Sequence, residues 1–296
     1  MRIGFVGTGT MGTPIAGCLI RAGHSLSVYD RRPEATAALR AQGAVCPDSA
    51  FAAARASEVM FTSLPGPAEF ETAMLEPQTG ILAGLRPGTA HIDLTTNAPE
   101  TVARVAEACQ ARGIELIDAP VSGRPPTMTV MIGAGDAAFA KYRPLFEAIA
   151  ANVFHVGPSG AGATAKLVTQ YLGYTNFIAA IEGLLVAAKA GVDLDTMARI
   201  VPVSAGQSRT FDNIARGVFP RTFAAGGTLD IVAKDVELAC QLARSVGAPA
   251  TLGALASDIY KRAQAAGWGQ EGFPIVARVL EAMAGTELRT REAAKG

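Results

Sequence analysis

A glycine-rich turn between an apolar run and an amphipathic segment constrains the fold of this chain more than any other feature. The run Arg2–Val6 indicates a short buried strand, and the sequence GTGTMG follows at residues 7–12, before a helical pattern that reaches Ala22. Gly7 allows a tight turn, Gly9 lets an anion approach the backbone, and Gly12 lets the helix pack closely on the strand. The spacing therefore predicts a phosphate-binding loop at a helix N-terminus.

An acidic residue in the right place strengthens this prediction. Asp30 comes directly after the second apolar run, Ser25–Tyr29, and lies 18 residues after Gly12 (30 − 12). A carboxylate there hydrogen-bonds the ribose hydroxyls of NAD, and it repels the 2′-phosphate of NADP. Arg31 and Arg32 follow at once and can offset this repulsion, or they are simply solvated loop residues. We expect NAD as the cofactor, with NADP as the alternative.

The rest of the chain shows two different hydrophobic patterns. Short apolar runs alternate with helical segments up to Gly157, which is typical of βαβ units and a parallel sheet. From Ala163 to about Ala190 the pattern is helical and lacks proline, and only helical segments follow. The pattern predicts an α/β fold, with a Rossmann-type doubly wound sheet in residues 1–162. An all-helical substrate and oligomerisation domain is predicted for 163–296, and a long helix joins the two.

Composition excludes several classes of protein. Hydrophobic residues make up 49% of the 296, which is too many for a disordered chain. The 26 basic and 26 acidic side chains give zero net charge, which argues against nucleic acid or an anionic membrane as the main partner. The four cysteines form no CxxC pair, so we expect free thiols, no metal site and a cytoplasmic protein.

Four motifs in order now carry a resemblance. The opening IGFVGTGTMG, DAPVSG at 118–123, GAGATAK at 160–166 and KDVELA at 234–239 cover nearly the whole chain. Together they resemble the β-hydroxyacid dehydrogenases, the group of 3-hydroxyisobutyrate dehydrogenase and tartronate semialdehyde reductase. The resemblance implies a reversible transfer of hydride between a nicotinamide cofactor and a small 3-hydroxy acid.

The resemblance also implies roles for individual residues. Lys166, near the start of the long helix, is the expected catalytic residue, because an ammonium can hold the substrate hydroxyl and exchange its proton. Without the motif, a solvated lysine on a helix face would be the simpler interpretation. The expected cofactor-binding residues are Gly7, Gly9, Thr10, Met11, Gly12, Asp30, Leu64, Pro65, Thr96 and Lys234.

Substrate binding is where this sequence departs from the family. Ser122 and Gly123 offer a hydroxyl and backbone N–H groups to a carboxylate. The next residue, a second glycine in the family, is Arg124, which either binds a further acidic group or points to solvent. Gln170, one helical turn after Lys166, replaces the usual asparagine and indicates a pocket of different size.

Three other functions remain compatible with the sequence. Imine reductases resemble this chain but usually lack a lysine at the position of Lys166. A non-catalytic NAD-binding redox sensor is left open by the changes at Arg124 and Gln170. A decarboxylating sugar-phosphate dehydrogenase is usually longer and carries clustered basic residues, which the second half lacks. The family also implies a homodimer or homotetramer.

Overall fold

The computed structural model describes residues 1–224 and 226–290. The chain divides into two compact units, Met1–Lys166 and the residues from Leu167 onward. The last six residues of the predicted second domain, 291–296, lie outside the described ranges.

The first unit is built on one sheet of eight strands. These are β1 (Arg2–Val6), β2 (Ser25–Tyr29), β3 (Val59–Thr62), β4 (Ala90–Asp93), β5 (Glu115–Asp118), β6 (Val121–Ser122), β7 (Thr129–Gly133) and β8 (Asn152–Gly157). The strand order is β2-β1-β3-β4-β5-β7-β6, and β8 pairs with β7. The strand order reverses at β1, with β2 on one side and β3 on the other, so a switch point lies at the carboxyl end of that strand, where open α/β sheets bind ligands.

Helices connect these strands and cover the sheet. They are α1 (Gly12–Arg21), α2 (Ala37–Arg40), α3 (Ala50–Arg55), α4 (Pro67–Leu75), α5 (Ile81–Gly84), α6 (Pro99–Gln110) and α7 (Asp136–Ile149), with a 3-10 turn at Pro33–Thr36. Proline begins α4 and α6, where its missing N–H costs no helical hydrogen bond. Two apolar clusters result. One centres on Phe5, Phe61 and Phe146, and the other on Phe70, Met74 and Val105.

The sheet is mixed, and the prediction of a parallel sheet was wrong for its last strands. Strands β1 to β5 pair in parallel, but β7 runs antiparallel to both β5 and β6. The reason is the length of a connection: β5 and β6 run in the same direction, and only residues 123–128 separate β6 from β7. A parallel crossover needs a dozen or more residues, whereas a short link forces the chain back on itself. The fourteen-residue α7 provides such a crossover, and β8 returns parallel to β7.

The second unit is helical, as predicted. Its elements are the long helix α8 (Ala161–Lys189), which begins in the first unit, then α9 (Leu194–Ile200), α10 (Phe211–Asn213), α11 (Leu229–Ser245), α12 (Thr251–Ala265) and α13 (Ala277–Ala284), with 3-10 turns at Val201–Val203 and Phe273–Val276 and a π-helical turn at Ile214–Val218. Among its described residues, the only strand-like pairing is the isolated bridge between Thr228 and Gly272. Fully buried aromatic rings hold these helices together, and Phe177 packs on Phe273 with ring centroids 4.9 Å apart.

Helix α8 is long and apolar enough to cross a membrane by length and composition. In its most apolar window the mean hydropathy is 1.3, and 39% of the residues are buried within the protein. A core helix of a water-soluble protein meets the same criteria. The predicted fold class, a Rossmann-type α/β domain followed by a helical domain, is confirmed.

Candidate functional site: the carboxyl edge of the sheet and the start of the long helix

The glycine-rich turn after β1 has the geometry that an anion needs. Gly7 adopts a φ of +93°, which favours glycine. A methyl group on Gly7 would overlap the carbonyl of Ser63, and one on Gly12 would overlap the carbonyl oxygen of Gly7. At Gly9, by contrast, no atom lies within 4 Å of the place a Cβ would take. Gly7 and Gly12 therefore serve packing, whereas Gly9 leaves the backbone accessible.

The N-terminus of α1 faces this open space without a side-chain cap. Met11 occupies the N-cap position and makes no side-chain capping hydrogen bond. The N–H of Thr13 donates to the carbonyl oxygen of Gly9 at 3.1 Å and Pro14 has no N–H, so a ligand would meet the amides of Met11 and Gly12 at this end. Thr10 lies between Gly9 and Met11 in the same turn. The predicted phosphate-binding residues thus lie together in one loop.

Asp30 is held against this loop. Its Oδ2 accepts a hydrogen bond from the backbone N–H of Thr8 at 2.9 Å, and its Oδ1 accepts one from the N–H of Arg32 at 3.0 Å. The Arg32 guanidinium lies 3.6 Å from Oδ1 and is exposed. Oδ2 also accepts the hydroxyl of Thr8 at 3.4 Å, so Oδ1 is the oxygen that keeps a lone pair. Asp30 can therefore both fix the loop and accept a hydrogen bond from a ribose hydroxyl.

The loops after β3 and β4 are joined at the same edge of the sheet. The backbone N–H of Leu64 donates to Oγ1 of Thr95 at 3.0 Å, and the N–H of Thr95 donates to Oδ1 of Asp93 at 3.2 Å. Pro65 and Thr96 are the next residues of these two loops. The structure therefore brings Leu64, Pro65 and Thr96 to the carboxyl edge that also carries the glycine-rich turn.

A buried polar network supports these two loops. The Thr62 hydroxyl donates to Oδ1 of Asp93 at 2.7 Å, and the Asn97 amide donates to Oδ2 at 2.6 Å. Nε2 of His91 lies 2.9 Å from the same Thr62 oxygen. When Asp93 is ionised, that hydroxyl donates to Asp93 and accepts from His91, which assigns the proton of the neutral ring to Nε2.

Burial changes the titration of both ionisable groups in this network. It raises the pKa of Asp93 to about 7, although the hydrogen bonds from Thr62, Thr95 and Asn97 hold it lower than burial alone would. It also lowers the pKa of His91 to about 3. The ring of His91 is therefore neutral at physiological pH, and we assign it a structural role.

The hairpin between β6 and β7 carries the predicted substrate residues of the first unit. Ser122 pairs with Thr129, and Gly123 turns the chain with a φ of +80°. Arg124 follows at the exposed end of the hairpin. No ion pair of Arg124 with a carboxylate occurs among the described residues.

Lys166 lies on the second turn of α8, at the end of the first unit. Only 6% of the residue is exposed. The helix begins at Ala161, so Lys166 is about 7.5 Å along its axis at 1.5 Å per residue. The start of this helix is bound to Asp118, at the end of β5, which accepts hydrogen bonds from the N–H groups of Gly160 and Ala163.

The predicted residues of the second unit form their own cluster. Oδ2 of Asp235 accepts a hydrogen bond from Nε2 of Gln170 at 2.6 Å, and Oδ1 lies 2.7 Å from the Lys234 ammonium. The Gln170 amide also donates to the Tyr174 hydroxyl at 3.2 Å. Because these partners occupy the amide nitrogen of Gln170, its Oε1 is the atom left to accept a hydrogen bond from a ligand.

Sequence reasoning missed three buried carboxyl groups, those of Asp93, Asp118 and Asp235. Two of them stand inside motifs that the sequence analysis quoted, DAPVSG and KDVELA, but their partners are distant in sequence. Asp93 ends β4, two residues before the Thr95 and Thr96 pair. An acid at the end of an otherwise apolar run is the signal that could have found it.

The first unit fits a dinucleotide. The backbone at Gly9 is open to a pyrophosphate, the start of α1 without a side-chain cap supplies N–H donors, and Asp30 directly follows β2. Two family models match the chain. Residues 2–157 match the NAD-binding domain of 6-phosphogluconate dehydrogenase, and residues 160–280 match a domain described as NAD-binding of NADP-dependent 3-hydroxyisobutyrate dehydrogenase. The class is thus that of NAD(P)-dependent dehydrogenases.

Similar proteins of known activity narrow the class to one family. A 2-(hydroxymethyl)glutarate dehydrogenase of Eubacterium barkeri is 33% identical, with 97% of each chain covered. A 3-hydroxyisobutyrate dehydrogenase of Pseudomonas aeruginosa is 35% identical, over 87% of this chain and 90% of that one. The crystal structure of a 3-hydroxyisobutyrate dehydrogenase from Salmonella typhimurium superposes with a TM-score of 0.85 at 31% identity, covering 94% of this chain and 99% of that one.

This chain belongs to the β-hydroxyacid dehydrogenase family. The predicted resemblance is confirmed, and with it an NAD(P)-dependent oxidoreductase that acts on hydroxy acids. The cofactor is NAD or NADP.

Proposed function

We propose that this protein is a dehydrogenase of a small 3-hydroxy acid that prefers NAD and uses Lys166 to move the hydroxyl proton. The observation that supports this proposal best is the placement of Lys166. A buried lysine stands on the second turn of α8, and the start of α8 is bound to the same sheet edge that carries the dinucleotide loop. A lysine serving solubility alone would keep its ammonium in water.

The nicotinamide cofactor, when bound, accepts or supplies the hydride. Lys166 holds the hydroxyl oxygen of the substrate by a charge-assisted hydrogen bond and exchanges its proton as the carbonyl forms or is reduced. Ser122 and Gly123 donate hydrogen bonds to the substrate carboxylate, and thus orient the carbon that carries the hydroxyl. Gln170 and Lys234 keep the substrate-binding and cofactor-binding roles that the family resemblance implies.

The preference for NAD is supported by Asp30. Its carboxylate is fixed by two backbone N–H groups and stays close to the loop. A phosphate on the 2′-oxygen of the ribose would lie near this negative charge, at a cost of up to about 4 kcal/mol for charges 4 Å apart near a protein surface. Arg32 already pairs with Asp30 and only partly offsets that charge.

A substrate with a second acidic group is supported by Arg124. This cation replaces a glycine of the family motif, directly after Ser122 and Gly123, and it is exposed. A second carboxylate would give the guanidinium a bidentate partner. The similarity to a 2-(hydroxymethyl)glutarate dehydrogenase is in keeping with such a di-acid, since a glutarate has two carboxylates.

The remaining features of the proposal concern the setting of the enzyme. All four cysteines are free thiols, which suits the reducing cytoplasm. We propose that α8 is a core helix of a cytoplasmic protein, that residues 1–162 form the cofactor domain and 163–296 the substrate and oligomerisation domain, and that the protein is a homodimer or homotetramer. Size-exclusion chromatography with light scattering measures the oligomeric state.

Absorbance at the NADH band tests the proposed function. The protein is mixed with NAD or NADP and a panel of 3-hydroxy acids that includes mono-acids and di-acids. We expect turnover with NAD on at least one acid, and a loss of about 10²- to 10⁴-fold in Lys166→Ala. The matched control is Lys189→Ala, which removes an exposed lysine of the same helix and leaves turnover intact. Full turnover in Lys166→Ala, or none on any acid while cofactor binds, overturns the proposal.

A further inference from the structure

The carboxyl group of Asp118 binds the first turn of α8 from a distant part of the chain. Its Oδ1 accepts the backbone N–H of Gly160 at 2.7 Å, and its Oδ2 accepts that of Ala163 at 2.8 Å. These donors are 42 and 45 residues away in sequence. The first amides of a helix have no partner within the helix, so Asp118 performs the task that an N-cap side chain usually performs locally.

The carboxylate of Asp118 is buried against two glycines. The residue is 1% exposed. A methyl group on Gly162 would come within 2.8 Å of Oδ2, and one on Gly133 would come within 2.7 Å of the same atom. Any larger residue at either position would displace the carboxylate. A methyl group on Gly162 would also meet the carbonyl oxygens of Met131 and Asp118 at 2.5 and 2.6 Å, so Gly162 allows the close contact of α8 with the sheet as well as the position of the carboxylate.

Asp118 also connects α8 to the sheet. It is the last residue of β5, where it pairs with Asp93 of β4 and Gly133 of β7. Ala163 lies three residues before Lys166 on the same helical segment, which is too short and regular to bend between them. The orientation of the Lys166 backbone is thereby tied to the end of β5.

From this geometry we propose that Asp118 is a positioning residue for Lys166. It touches neither substrate nor cofactor. It holds the start of α8 on the sheet edge and thereby keeps the ammonium of Lys166 in one position. The proposal rests on the proposed function for its consequence in catalysis, but the positioning itself is measurable without any substrate.

The test compares Asp118→Asn with a matched control, Asp193→Asn. The isosteric amide at 118 presents an N–H donor to one of the two backbone N–H groups and so loses one bond. Asp193 also caps a helix, accepting the N–H of Thr196 at 3.2 Å, but this helix is α9. Three quantities are measured in each variant: hydrogen exchange of residues 160–166, acylation of the Lys166 amine followed by mass spectrometry, and hydride transfer with cofactor affinity.

In Asp118→Asn we expect exchange at residues 160–166 and acylation of Lys166 to rise about tenfold, the size of effect that a lost cap produces. We expect kcat to fall at least about tenfold while the Kd of NADH changes less than about twofold. Asp193→Asn leaves all three unchanged. If Asp118→Asn does not fold, Asp118→Ser, which keeps one small acceptor, takes its place.

Unchanged exchange and unchanged acylation in a folded Asp118 variant would overturn the proposal. Faster exchange and acylation together with an unchanged kcat would overturn its catalytic part. If exchange and acylation are faster in Asp118→Asn, but Lys166→Ala keeps full activity, the positioning role of Asp118 stands and the proposed function of Lys166 is refuted. Failure of the one is thus distinguished from failure of the other.

Discussion

Asp93 and Asp118 are register partners on the neighbouring strands β4 and β5, and both are 1% exposed. Burial raises the pKa of Asp93 to about 7 and that of Asp118 to about 6. Each carboxyl group is nevertheless surrounded by donors. Asp93 accepts from the loop that contains Thr95, and Asp118 accepts from the start of α8. These two buried aspartates, at the carboxyl ends of β4 and β5, thus hold two segments of the site in place.

The first prediction concerns Asp93→Asn and the pH dependence of stability. The pKa of Asp93 rises from 3.8 to about 7 on folding, so its contribution to stability is full below pH 4 and is lost as the pH rises through 7. Asparagine does not titrate. Relative to wild type, the free energy of unfolding of Asp93→Asn is expected to gain about 2 kcal/mol between pH 5 and pH 8.

Urea unfolding of both proteins at the two pH values measures this gain. The low pKa of His91 acts in the opposite direction, because its contribution is lost as the pH falls below 6.5, but His91 is present in both proteins and cancels in the difference. Asp258→Asn, at an exposed carboxylate paired with Arg262, is the control and should show no such gain. A difference between wild type and Asp93→Asn that is independent of pH would contradict the burial argument.

The second prediction separates two glycines of one motif. Gly9→Ala places a methyl group in open space and is expected to fold with an unchanged Tm, but to lose at least about tenfold in NADH affinity because the methyl occupies the place of the pyrophosphate. Gly12→Ala drives a methyl into the carbonyl oxygen of Gly7 and is expected to lose more than about 3 kcal/mol of stability. Thermal unfolding and NADH fluorescence titration measure the two effects. Equal behaviour of the two variants would show that this assignment of roles is wrong.

The third prediction concerns cofactor preference. Asp30→Ala removes the negative charge at the end of β2, and also the acceptor that holds the N–H of Thr8. We expect a weaker affinity for NAD and a ratio of kcat/KM for NADP over NAD that rises at least about tenfold. The control is Glu34→Ala, which removes an exposed carboxylate four residues further on. An unchanged ratio in Asp30→Ala would remove the basis for the proposed preference.

The fourth prediction concerns the second acidic group of the substrate. In Arg124→Ala, kcat/KM for a hydroxy di-acid is expected to fall about 10- to 100-fold, the range for a lost hydrogen bond to a charged group, while that for a mono-acid stays the same. Arg124→Lys keeps the charge without the planar fork and should lose less. Arg112→Ala, at another exposed arginine of the first unit, is the control. A parallel fall for both classes of acid would make Arg124 a structural residue of the hairpin.

Local patterns were sufficient for much of this protein. The strand, the GTGTMG turn and the helix follow one another within about twenty residues, and the phosphate loop depends only on their order. Two hydrophobic patterns, apolar runs alternating with helical segments and then helical periodicity alone, likewise predicted an α/β domain followed by a helical domain. Lys166 and the DAPVSG and KDVELA motifs were singled out by the resemblance to a family, which contiguous residues carry.

Tertiary structure alone decided what depends on distant partners. The reversal of β7 follows from the short link of residues 123–128 after β6, which the pattern of apolar runs does not indicate. The carboxylate of Asp118 meets amides 42 and 45 residues away, and Gln170 meets Asp235 across 65 residues. Hydrophobic periodicity indicates which face of an element is buried, but a hydrogen bond between buried polar groups requires both partners at a distance near 3 Å. Only the folded chain brings such pairs together.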